Sequence, residues 1–208
     1  MYPVTKIIKD EGSKEVYVVC GDGGYRITQH DLSEMDISEG DVLSEEEYAL
    51  LIEASDRLRC IKKAFEYLSY GDLSVKQLYD KLCRKFPKDL SMDVAELMRE
   101  HKYVDDRKLA CRYAETFYVF KNFGLIKIRE ELYRRGIGKE DTEAALAPYI
   151  QEDQVPRVIE YAKKKYELSG LSDLKYRRKV YSGLMRAGFA CSDITDALNK
   201  IESEQICQ

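Results

Sequence analysis

The side chains best placed to do chemistry in this sequence are cations, and they fall in three clusters. Residues 174–186 hold Lys175, Arg177, Arg178, Lys179 and Arg186 with no acid among them. Residues 121–135 hold Lys121, Lys127, Arg129, Arg134 and Arg135 against Glu130 and Glu131, and residues 76–88 hold Lys76, Lys81, Arg84, Lys85 and Lys88 against Asp80. Basic faces interleaved with Tyr133, Tyr176 and Tyr181 suit phosphate backbones or an acidic protein surface. For any one cluster a solvated helix face is an equal explanation. Arg84, Arg134 and Arg186 would also sit in the last turn of their helices, where a cation answers the helix dipole. Recurrence of the pattern three times favours binding.

Catalytic and metal-binding patterns are weak by comparison. The six cysteines (Cys20, Cys60, Cys83, Cys111, Cys191, Cys207) are widely spaced, with no Cys-x-x-Cys pair and only His30 and His101 to assist them. They are expected to be reduced thiols serving as small core residues, and no cofactor is implied. Gly21-Asp22-Gly23-Gly24 lacks the pattern of a phosphate loop and is expected to be a hairpin turn. His101 is expected at a solvated helix end, and Asp105-Asp106, just before a helical run, as an N-cap. None of this amounts to an enzyme.

The cations must be carried by ordered elements, and the chain has enough length for them. It has 208 residues, 44% hydrophobic and 35% charged, with no apolar run long enough to span a bilayer, and its opening residues, which reach their first charges without an apolar segment, are not expected to be a secretory signal. The net charge of −4 conceals an uneven distribution. Residues 1–55 carry four basic and thirteen acidic side chains, so the remainder is net positive by five. The first thirty residues alternate as strands: Val4, Lys6 and Ile8, then Glu15 to Cys20, then Tyr25 to Thr28. Residues 31–43 read as loop with a short helical turn, and Ser44-Glu45-Glu46-Glu47 has the form of a capping box.

From residue 56 the periodicity is helical and it repeats. Leu82-Cys83-Arg84, Leu132-Tyr133-Arg134 and Leu184-Met185-Arg186 lie 50 and then 52 residues apart. Val75 and Leu78 precede the first as Leu125 and Ile128 precede the second, whereas the third keeps Val180 but has Arg177 at the outer position. Leu97, Leu146 and Leu198 follow as anchors, and Gly71, Gly124 and Gly170 are expected to be left-handed helix stops. Each unit is then three helices, predicted over 56–70, 74–85 and 92–101, then 106–122, 125–135 and 139–150, then 153–168, 173–187 and 192–203. The expected fold is mainly α: tandem three-helix repeats forming an elongated curved array behind a small antiparallel β-containing region. The divisions are 1–54, 55–104, 105–151 and 152–208.

Gly124-Leu125-Ile126-Lys127-Ile128-Arg129-Glu130-Glu131-Leu132-Tyr133-Arg134-Arg135-Gly136-Ile137 resembles the signature of the RecX regulatory proteins. Tyr103-Val104-Asp105-Asp106-Arg107-Lys108-Leu109-Ala110 is similar to a second motif of that family, with Leu109 in place of an aromatic residue. Phe86-Pro87 departs from the Gly-Ile that ends the middle helix elsewhere, whereas Gly188-Phe189 fits. The resemblance implies a cytoplasmic, non-enzymatic modulator that binds the RecA–DNA filament, inhibits recombinase, ATPase and co-protease activity, and so bears on DNA repair and the SOS response. Lys127, Arg129, Arg134, Arg135, Lys175, Arg177, Arg178 and Arg186 are the candidate RecA- or DNA-contacting residues, with Lys81, Arg84 and Lys85 secondary. The implied partners are the RecA filament and, weakly, single- or double-stranded DNA. No membrane is implied, and the chain is expected to act as a monomer. The alternatives are a direct DNA-binding helical repeat protein and a protein-only scaffold. Against the former stand the acidic head and the lack of a repeated side-chain set placed to read bases.

Overall fold

The computed structural model describes residues 1–9 and 12–206. The chain forms two compact units, Met1–Asp72 with Leu78–Tyr103, and Leu73–Gln77 with the chain from Val104 onward. The first opens with the expected antiparallel strands: β1 (Tyr2–Lys9), β2 (Glu15–Cys20) and β3 (Gly23–Thr28). A two-residue β4 (Val42–Leu43), which residue patterning did not mark, pairs with β1 and completes a sheet of order β3-β2-β1-β4. Val16, Val18 and Cys20 alternate inward along β2, and the β2–β3 turn falls at the expected glycines, with Gly21 at φ 57°. Helix α1 (Gln29–Glu34) follows, capped reciprocally by Thr28 and Asp31.

Helix α2 (Glu45–Ser69) begins at the Ser44/Glu47 capping box and continues for 25 residues. It runs straight through residues 54 and 55, where the composition changes. The reason is that Leu51, Ser55 and Leu58 form one buried stripe across that point, with no stop signal between them. Leu51 closes the sheet's core with Val4, Val18, Ile27 and Leu43, while the later turns of α2 pack on α4 (Lys88–Glu100). Helix α3 (Val75–Leu82) is shorter than expected, since the chain leaves the helix before Phe86-Pro87, and α4 starts directly after Pro87. In α4 the anchor is displaced by one residue: Met98 is buried and Leu97 only half-buried.

The second unit holds α5 (Asp106–Glu115) with a π-helical turn Thr116–Phe120 at its end, then α6 (Leu125–Arg134) and α7 (Lys139–Ile150). After these come α8 (Val155–Lys165), a 3₁₀ turn Leu168–Ser172, α9 (Leu174–Arg186) and α10 (Cys191–Ile206). The periodic positions behave alike: Leu78 and Leu82, Ile128 and Leu132, Val180 and Leu184 are all fully buried. So are the anchors Leu146 and Leu198.

The glycines behave differently from the expectation. Gly71 has a positive φ, but Gly124 has φ −70° and caps α6 at its N-terminus, and Gly170 lies inside the 3₁₀ turn. Among the repeats' middle helices, left-handed glycine exits occur at Gly136 (φ 78°) and Gly188 (φ 88°), directly after α6 and α9. These two exits serve as docking points. Gly124 N donates to Ala187 O at 2.9 Å and Ile126 N to Gly188 O at 3.1 Å, so the first turn of α6 rests on the exit of α9. A Cβ on Gly124 would run into the Gly188 carbonyl, and one on Gly188 into the Lys127 backbone. The arrangement recurs 50 residues earlier: Ser74 Oγ donates to Arg135 O at 2.5 Å, and a Cβ on Gly136 would meet Lys76. The departure at Phe86-Pro87 now has a physical reason. Among the described residues no helix start hydrogen-bonds to the α3 exit, so nothing there requires a glycine.

Candidate binding surface

Among the described residues no group of three or more His, Cys, Asp or Glu side chains could hold a metal ion. His101 is the exposed C-cap of α4. Asp105 caps α5, accepting from Lys108 N at 2.8 Å, and Asp106 Oδ1 accepts from Val75 N at 3.0 Å. Two cysteines are core residues as expected, Cys20 on a strand and Cys60 on α2, and burial pushes the Cys60 thiol up to about 11. Cys111 and Cys191 are exposed and Cys83 half-buried, contrary to the core assignment; Cys207 lies outside the described residues. On α5 the buried positions are Leu109, Ala110 and Ala114, and Cys111 falls just past the edge of that stripe.

The cations of α6 are largely engaged within the molecule. Arg129 makes a two-pronged contact with Glu143, Nε to Oε1 at 2.6 Å and Nη2 to Oε2 at 2.9 Å. Arg134 and Arg135 share Glu131, at 2.6 and 2.5 Å, and the Arg135 guanidinium also lies 4.8 Å from the Tyr113 ring centre. The Lys127 ammonium sits 3.9 Å above the Phe123 ring. Arg134 nevertheless remains 71% exposed, so its pair with Glu131 leaves it accessible. Of the secondary residues, Lys81 lies 5.3 Å from the Tyr67 ring, while Arg84 and Lys85 are exposed. Arg84 is beyond the end of α3, so the last-turn cation there is Lys81; Arg134 and Arg186 do occupy last turns as expected.

These pairs leave a signature in acid. Hydrogen bonds from Arg129 hold Glu143 below the usual carboxylate range. Burial works to raise Glu131, but hydrogen bonds from Arg135 and Arg134 outweigh it and the group titrates low. A depressed carboxylate contributes stability that is present above its ordinary value of 4.5 and lost as pH falls through its folded value. Urea melts between about pH 6 and 3 should therefore show a decline that Glu131→Gln makes shallower. An unchanged slope in that variant would remove the Glu131 pairs from the account.

Helix α9 differs. Arg177 turns inward, donating to Asn199 Oδ1 at 2.8 Å and pairing with Glu202 at 3.4 Å. Lys175, Arg178, Lys179 and Arg186 are exposed, and with Ser182 their spacing of 3, 4, 7 and 11 residues sets them on one stripe. Among the described residues none of the four has an ion-pair partner.

One cation escaped the sequence reading. Arg157, in the first turn of α8, places its guanidinium carbon 3.4 Å from the Tyr118 ring centre and donates to Tyr118 O at 2.8 Å and Phe123 O at 3.3 Å. It thereby ties the middle of the π turn to the segment that follows it. Burial lowers its affinity for a proton. The available clue was its setting, a lone arginine between Val155 and Val158 on an apolar stripe.

Comparison with known proteins places this arrangement among relatives. No protein-family model matches the chain. Regulatory protein RecX of Caldanaerobacter subterraneus is 30% identical over 202 residues, spanning 94% of this chain and 98% of that protein. The Bacillus licheniformis protein of the same name is 27% identical over 205 residues, spanning 97% of this chain and 78% of its own length. A solved structure of regulatory protein RecX superposes with a TM-score of 0.76 at 20% identity, covering 96% of this chain and all of that one. RecX from Lactobacillus salivarius superposes at 0.61 with 23% identity, covering 72% of this chain and 98% of that one. At these identities the two structures establish the shared fold.

Proposed function

Since the chain belongs to the RecX family of regulatory proteins, we propose that it acts without catalysis of its own on the RecA–DNA filament, inhibiting RecA's recombinase, ATPase and co-protease activities. Through that contact it would modulate DNA repair and the SOS response. The observation that carries the reading is similarity along nearly the whole length of a RecX protein, including the part that bears all three basic helices. The reading also treats 1–54 as an acidic head and 55–104, 105–151 and 152–208 as repeats. Support for the repeats comes from the buried pairs Leu78/Leu82, Ile128/Leu132 and Val180/Leu184 and from the docking arrangement that recurs at Gly136 and Gly188. Among the described residues no helix is long and apolar enough to cross a membrane; the site of action proposed with this function is the cytoplasm. We propose that a monomer suffices.

The test is the single-stranded-DNA-dependent ATPase rate of RecA with this protein titrated in, alongside binding to bare DNA at the same salt. Inhibition is expected at well below one protein per RecA, with weak affinity for bare DNA. An ATPase rate unmoved at saturating protein, together with tight binding to bare DNA, would replace the reading with that of a direct DNA binder.

A further inference from the structure

We propose that the solvent-facing stripe of α9, comprising Lys175, Arg178, Lys179 and Arg186, is the surface that meets nucleic-acid phosphates, and that α6 is not. This rests on the reading of the chain as a filament-directed regulator and says which of its basic helices touches the nucleic acid.

The first argument is availability of charge. Arg129 and Arg135 are half-buried against Glu143 and Glu131 and Lys127 is drawn to the Phe123 ring, so a phosphate approaching them competes with an existing partner; only Arg134, which shares Glu131, stays accessible. The four α9 cations are exposed and without ion-pair partners among the described residues, and residues 174–186 include no acid. A phosphate there would meet no competing carboxylate and would replace water, counterions and two weaker contacts, Lys179 at 5.9 Å from the Tyr176 ring centre and Arg186 Nε to Ser182 O at 3.3 Å.

The second argument is position in the chain. The start of α3 rests on the exit of α6, and the start of α6 on the exit of α9. Helix α9 is the last of the series. It begins three residues earlier than the alignment with α6 requires, with its own cap, where Asp173 Oδ1 accepts from Lys175 N at 2.8 Å. Leu174 is 70% exposed, so this additional turn, which α6 lacks, lies in solvent. Arg177, standing where Val75 and Leu125 stand in the earlier helices, is directed to Glu202, which leaves the stripe on the opposite side of α9 unencumbered.

The third argument concerns what kind of contact this is. The aromatic side chain nearest the stripe, Tyr176, is half-buried, packs beside Gly170 and accepts from Glu167 N at 3.2 Å through its hydroxyl. Its hydroxyl is thus engaged within the molecule, and the Lys179 ammonium lies 5.9 Å from its ring centre. The stripe presents point charges over about 16 Å of helix, suited to a phosphate backbone read without regard to base sequence.

The experiment is fluorescence anisotropy of a labelled oligothymidylate strand against the full chain, over about 50 to 200 mM salt. Lys175, Arg178, Lys179 and Arg186 are changed together to Glu, and in a second variant together to Gln. All four are exposed, so both variants should fold, as checked by circular dichroism. The Gln variant should bind about 100-fold more weakly at low salt, with its log–log salt slope shallower by about 3, and the Glu variant more weakly still. An α6 variant, Lys127→Gln with Arg134→Gln, should stay within about threefold of the parent. If the α6 variant loses as much affinity as the α9 variants, or the α9 variants keep theirs, the assignment is overturned. Retained strand binding with lost capture of DNA-free RecA would place the stripe on an acidic protein surface and overturn it equally. Inhibition of the RecA ATPase by the parent protein is measured in parallel. Its absence would end the regulator reading, while strand binding by the stripe would still be decided by the anisotropy.

Discussion

Replacing Gly188 with alanine is expected to cost about 3 kcal/mol of folding stability, whereas replacing Gly40 should cost about 1. Both have positive φ, 88° and 93°, and so incur the same backbone penalty when a Cβ is added. They differ in what surrounds that Cβ. At Gly40 there is nothing within 4 Å, while at Gly188 it meets the backbone of Lys127, which is itself fixed by the hydrogen bond from Ile126 N to Gly188 O. Gly136 should fall between them, because its Cβ would meet the side chain of Lys76, which can move aside more readily than backbone. Urea midpoints of the three alanine variants at pH 7 provide the measurement. Equal losses at Gly188 and Gly40 would mean that the contact between the α6 start and the α9 exit carries no weight.

Arg157→Met should cost about 3 kcal/mol, and Arg157→Lys at least about 2, even though lysine keeps the charge. The guanidinium covers the Tyr118 ring at 3.4 Å while it donates to two carbonyls, Tyr118 O within the π turn and Phe123 O three residues beyond its end. A planar fork can stack and donate in two directions at once, and an ammonium on a flexible stem cannot. The cost should reach beyond α8, because the Tyr118 hydroxyl donates to Glu152 Oε2 and accepts from Gln154, tying the turn to the α7–α8 connection. Amide hydrogen exchange at residues 116–123 should quicken in both variants. Full recovery of stability by lysine would show that charge alone matters at this position.

Much of the secondary structure was legible because it is written in local patterns. The strand alternation of Val16, Val18 and Cys20, the Ser44/Glu47 box and the Asp105 cap depend on residues within a few positions of one another, and each formed as expected. The spacing of Leu82, Leu132 and Leu184 likewise led to three equivalent buried positions. The errors also have local causes. The helix start expected at residue 56 rested on a shift in composition, but a helix ends where its apolar stripe or its hydrogen-bonding ends, and α2 (Glu45–Ser69) has neither break there. The glycine stops were misplaced because a glycine in sequence can mark a left-handed exit, as at Gly136, or a close approach of backbones, as at Gly124.

The candidate site divides in the same way. Sequence by itself determined which helices are basic, that α9 has no acid of its own, and that residues 103–137 resemble one regulatory family, since these are properties of composition and order. Only the tertiary structure decided which of those charges remain available. Arg129 reaches Glu143, 14 residues away on another helix, and Arg177 reaches Glu202, 25 residues away, so both are withdrawn by neighbours that no local pattern names. Arg157 is the converse case, ordinary in sequence and half-buried against a ring 39 residues earlier. The physical reason is that a side chain's pairing depends on which elements lie beside it. That is settled by burying apolar stripes against one another, and the charges at their edges then meet whatever partners the packing provides.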